Sequence, residues 1–169
     1  NAGFAVPALG EGTTATNPIL EVGGNVILSN QVLTLGGFRQ NAFTSFKVGG
    51  NLVVTNGGKL AVFSGVTNAA NPEWGALVEV GGDMVVAGAN SWVYPYSHPR
   101  TGGVVRFTMR NLSVTNGGFD ANLKGYEWNR AVTPNTSLVP AGETTTNGNV
   151  CSGGSGYGGA GTRLVLGVT

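Results

Sequence analysis

The sequence predicts an all-β, single-domain parallel coil, a solenoid of about four to five rungs, and three observations predict it. One short pattern returns along the chain, its segments alternate apolar and polar residues, and glycine and asparagine recur at the corners between them. Composition agrees. Glycine makes up 30 of the 169 residues and charged residues only 10%, yet 41% are hydrophobic, enough for a packed core in one domain. The net charge of +1, with Lys and Arg scattered, gives no footprint for nucleic acid. No apolar run is long enough to span a bilayer.

The pattern reads Leu-Glu-Val-Gly-Gly-Asn-Val-Ile-Leu from Leu20 to Leu28 and Phe-Lys-Val-Gly-Gly-Asn-Leu-Val-Val from Phe46 to Val54. It returns from Val78 to Val86 with Asp83 in the turn, and in weaker form from Phe107 to Val114. The polar turn residues Asn25, Asn51, Asp83 and Asn111 are spaced by 26, 32 and 28. An apolar pair follows 8 or 9 residues later: Leu33 and Leu35, Leu60 and Val62, Trp92 and Tyr94, Phe119 and Ala121.

Each unit therefore holds three short strands of period two, joined by two tight turns. In the second unit Phe46, Val48, Leu52, Val54, Leu60 and Val62 share one face. Three such strands cannot bury that face alone. Coiling them turns it inward and stacks each strand on its counterpart, roughly 4.8 Å away. Gly23–Gly24, Gly49–Gly50 and Gly81–Gly82 allow close backbone approach at the first corner. Met109 and Arg110 stand there in the fourth unit, so its corner must differ. Stacking aligns Asn25, Asn51, Asp83 and Asn111 as a structural ladder, and Asn30, Asn56 and Asn116 as a second one broken by Gly88. The alternative is that asparagine simply tolerates turn geometry.

The stretch from Val48 to Val62, Val-Gly-Gly-Asn-Leu-Val-Val-Thr-Asn-Gly-Gly-Lys-Leu-Ala-Val, resembles the right-handed parallel β-helix of pectate-lyase-like and autotransporter-passenger proteins. The resemblance covers about residues 18 to 121 and implies a fold. It implies no single activity, since that superfamily spans lyases, hydrolases, adhesins and inert shafts. An antiparallel β-sandwich of the same strands is the alternative, and four in-phase repeats weigh against it.

The domain reading is an N-terminal arm at 1–17 containing Phe4 and Val6, β-helix repeats at 18–139, a Gly-rich loop at 140–161 and a C-terminal strand at 162–169. In that last strand Leu164, Leu166 and Val168 share a face. Rung-length variation collects after each third strand, which puts Trp74, Tyr96, His98, Arg100, Tyr126 and Trp128 on one loop flank. Aromatics with arginine there suit a glycan or protein contact, or else cover the flank as local core. A chain opening on Asn1 reads as a processed protein or as a piece of a longer one. The lone Cys151 permits no internal disulfide and is an inert thiol or an intermolecular bridge.

Catalytic chemistry is not evident, and no catalytic residue, metal site or cofactor is expected. Glu21 and Glu79 align in the repeat with Lys47 between them, an outward ladder rather than a facing acid pair. The acidic calcium clusters of β-helical lyases are missing, with Asp83 and Asp120 standing alone. His98, the one histidine, has no nearby ligand partner or triad acid, and a loop role fits it better. Asn111-Leu-Ser and Asn135-Thr-Ser are formal glycosylation sequons. The ends show no helix or charged segment to cap a coil. The expected function is a structural subunit of an extracellular or cell-surface filament or surface layer, assembling as a homo-oligomer through open ends and terminal segments such as Phe4, Val6, Leu164, Leu166 and Val168. The alternative is an adhesin-like module that binds glycan or protein with the aromatic flank. A polysaccharide lyase or hydrolase ranks last.

Overall fold

Short alternating segments bounded by Gly, Asn and Ser form strands, and the chain holds β1 (Gly3–Val6), β2 (Ile19–Val22), β3 (Val26–Ser29), β4 (Val32–Leu35), β5 (Thr44–Val48), β6 (Leu52–Thr55) and β7 (Lys59–Phe63). It continues with β8 (Trp74–Val80), β9 (Met84–Ala87), β10 (Trp92–Tyr96), β11 (Val104–Thr108), β12 (Leu112–Thr115) and β13 (Gly118–Phe119). This computed structural model describes residues 3–6, as backbone, together with 19–38, 41–67, 74–99 and 103–125. They belong to one compact unit, Asn1–Gly125. The Gly-rich loop, Cys151, Asn135 and the strand expected at 162–169 lie outside the described residues.

Three parallel sheets form the walls. Their orders are β2-β5-β8-β11, β3-β6-β9-β12 and β1-β4-β7-β10-β13. The repeat alignment is also the register: Leu20 faces Phe46, which faces Val78, which faces Phe107. Leu28, Val54, Val86 and Val114 form a matching row in the second wall. The fold is an all-β parallel solenoid, and it makes about three turns against the four to five rungs expected.

The fourth tier is short among the described residues, and its β13 has two residues. Val93 O accepts from Asp120 N–H at 2.9 Å and Tyr96 O from Ser64 N–H at 2.9 Å, so alternate residues of β10 face opposite neighbours. Pro95 falls on the β13 side and offers no N–H there. Pairing stops at Phe119, and Ala121, expected to point inward, is exposed.

One inward pair is also corrected. Register places Val93, fully buried, opposite Leu60, so Trp92 and Tyr94 lie on the outer face opposite Lys59 and Ala61. The cause is turn length. From Asn56 to β7 two residues intervene, but three separate Gly88 from β10. One added residue reverses the face of the strand that follows.

The core is Phe46, Val48, Leu52, Val54, Leu60, Val62, Val78, Met84, Val86 and Val93, closed on both sides by like residues from neighbouring tiers. Burying each such side chain stabilises the fold by about 1.5–3 kcal/mol. Small polar residues tie the corners. Thr44 Oγ1 donates to Phe63 O at 2.8 Å, and Ser64 Oγ donates to Val104 O at 3.2 Å and accepts from Gly75 N–H at 3.1 Å.

Candidate functional site

The corner after the first strand of each tier has a direction. Asn51 N–H donates to Asn25 Oδ1 at 2.8 Å, and Asp83 N–H donates to Asn51 Oδ1 at 2.8 Å. The ladder thus runs from side-chain oxygen to backbone N–H of the next tier, not from amide to amide. Glycine is required beside it, since a Cβ at Gly50 would overlap Asn25 Oδ1 and one at Gly82 would overlap Asn51 Oδ1. The second column has another cause. Asn30, Asn56 and Asn116 have φ of 55, 50 and 57°, and Gly88 has 88°, so the left-handed turn selects Asn or Gly there. Asn56 Nδ2 bonds Ser29 Oγ at 3.1 Å rather than another amide of the column.

At the fourth corner Arg110 takes the glycine place and the bonding changes. Asp83 Oδ1 accepts from Arg110 Nε at 2.9 Å and from Asn111 Nδ2 at 2.8 Å. Those hydrogen bonds, Arg110 first and Asn111 second, hold the Asp83 carboxyl below its ordinary value against a small opposing effect of burial, and the Arg110 charge adds to them. Asp120 is lowered too, chiefly by the Asn122 N–H and further by Lys124. A depressed folded pKa contributes stability above the ordinary Asp value of about 3.9, lost as pH falls through the lower folded value. Thermal melting between pH 6 and pH 2 should therefore fall less steeply below about pH 4 in Asp83→Asn than in the parent. An unchanged acid limb would rule out this role for Asp83.

The flank residues engage one another. The ring of Tyr96, at the end of β10, stacks on Phe63 at 4.1 Å and 8°. Lys124 Nζ lies 5.0 Å from the Tyr94 ring centre and 5.4 Å from that of Tyr96. Trp74 opens β8 rather than lying in a loop, and the Arg106 guanidinium sits 4.4 Å over its ring. His98, expected in a loop of that flank, is 2% exposed, and its backbone N–H donates to Gly103 O at 2.8 Å. Arg100, Tyr126 and Trp128 lie outside the described residues. Outside the coil Lys47 faces Glu21 at 3.6 Å, in register as expected. Among the described residues no three His, Cys, Asp or Glu side chains gather as a metal site, and no helix is long and apolar enough to cross a membrane.

What remains is the pair of ends. At the C-terminal end the interior positions Leu112, Val114 and Phe119 are 49, 45 and 37% exposed, although their counterparts one tier earlier, Met84, Val86 and Val93, are fully buried. Phe107 and Phe119 meet edge to face at 5.5 Å in the same tier. At the N-terminal end β1 pairs with β4, placing Phe4 and Val6 in the third wall opposite Leu33 and Leu35. The outer edges of β2 and β3 have no partner strand among the described residues. The residues Leu164, Leu166 and Val168 lie outside them. Comparisons of the chain with protein families, curated proteins and solved structures return no match.

Proposed function

We propose that this protein is a structural, non-catalytic subunit of an extracellular filament or surface layer, built by stacking coils end to end. The observation that carries this reading is the last described tier, where Leu112 and Val114 occupy core positions yet stay about half exposed, and β11 and β12 have no further partner strand among the described residues. A parallel coil ends in two rows of unpaired strand groups, and such edges template further strands unless blocked. Contacts between unlike ends form rings or open filaments. Binding of glycan or protein at the aromatic flank has less support, because the rings of Trp74, Tyr94 and Tyr96 already meet Arg106, Lys124 and Phe63.

Sedimentation velocity over a wide concentration range tests the proposal. Boundaries that shift to larger species with concentration, and elongated particles by negative-stain microscopy, are the expected result. A single monomer boundary at every concentration would overturn it.

A further inference from the structure

Among the described residues the third wall holds five strands and the other two hold four, so simple stacking of whole copies leaves one strand too many at each junction. The surplus pair is β1 and β13, at opposite edges of one sheet. Their registers coincide: Gly3 faces Val32, which runs through Lys59 and Trp92 to Gly118, and Phe4 runs through Leu33, Leu60 and Val93 to Phe119. Both strands therefore place Gly-Phe at the same rows. Gly118 lies against the Trp92 ring, and a Cβ there would come within 2.8 Å of Trp92 Cζ3 and shift the ring.

We infer that in the assembly β1 of one copy takes the place of β13 in the next, so that every wall gains four strands per copy. This rests on the filament reading above and specifies its interface. The third wall then runs β7-β10-β1-β4 across the junction, while β11 and β12 of one copy lie on β2 and β3 of its neighbour. β13, two residues long and cut short by Pro95, is the strand that yields.

The corner column supports the same register. Gly49, Gly50, Gly81 and Gly82 each lie against the preceding tier, but among the described residues a Cβ at Gly23 or Gly24 would meet nothing within 4 Å. Neither has a positive φ to demand glycine. In the stack, Gly24 faces the Arg110–Asn111 corner of the neighbouring copy. There Asn111 Oδ1 can accept from Asn25 N–H, as Asn25 Oδ1 does from Asn51.

Cysteine trapping in the full chain tests the exchange. In a Cys151→Ser background, Ala5→Cys and Tyr94→Cys are combined. Within one chain β4 and β7 separate β1 from β10, so the two cysteines cannot meet. In the exchanged stack they face each other on adjacent strands about 4.8 Å apart, within disulfide range. A ladder of linked multimers under mild oxidation, roughly tenfold above either single-cysteine control, is expected from the effective concentration at such an interface. If the parent protein assembles but the double variant gives no ladder, the exchange is wrong and the filament reading stands. If the parent remains monomeric, both fall.

Discussion

Phe46→Ala should destabilise the folded chain by about 3–5 kcal/mol, the range for deleting a buried phenylalanine from a packed core. Phe46 lies in the second tier with no exposed surface, between Leu20 and Val78 in its own wall. Neighbours above and below belong to hydrogen-bonded tiers, so the walls cannot collapse to fill the gap without breaking ladder bonds. A single-tier cavity thus stays open, which sets the cost near the upper part of that range. Ile27→Thr provides the contrast. Ile27 is 63% exposed on the outer face of β3, and its replacement should change stability by no more than about 0.5 kcal/mol. Urea unfolding of both variants checks the pair. Equal losses would mean that inner and outer faces have been exchanged.

Gly50→Val is the second large effect, about 2–4 kcal/mol from overpacking and the loss of a corner hydrogen bond together. The new Cβ overlaps Asn25 Oδ1, so either that side chain leaves the Asn51 N–H or the two tiers move apart. Gly24→Val changes the equivalent residue one tier earlier, where a Cβ meets nothing within 4 Å among the described residues. Melted as a dilute monomer, Gly24→Val should match the parent to within about 0.5 kcal/mol, while Gly50→Val melts well below it. Similar losses in both would show that the first corner is already covered within one chain.

These two comparisons also show which features were legible in the residues. Period-two alternation and the Gly-Gly-Asn corner are local signals, and in-phase repetition converts them into register; hence Phe46, Leu52 and Leu60 were placed correctly. Trp92 and Tyr94 were not. Large aromatics mimic core residues by hydrophobicity, and only the turn after Gly88, one residue longer than that after Asn56, turns them outward while Val93 points in. Asn30, Asn56 and Asn116 align as expected, and of the two reasons the sequence offers it is the alternative, turn geometry, that the positive φ angles favour over amide pairing. The changed corner at Arg110 was foreseen, whereas its use of Asp83 as acceptor depends on side-chain reach that spacing does not encode. The shared Gly-Phe of β1 and β13 was hidden by distance along the chain. Only the sheet order brings the two dipeptides to the same rows.

The central claim is that the coil axis of each copy continues into the next. X-ray fibre diffraction from oriented assemblies addresses it directly. If the coils stack end to end, the strands lie across the fibre and the inter-strand repeat of about 4.8 Å falls on the meridian. A reflection of that spacing on the equator would mean that coils lie side by side, contradicting growth through the open tiers.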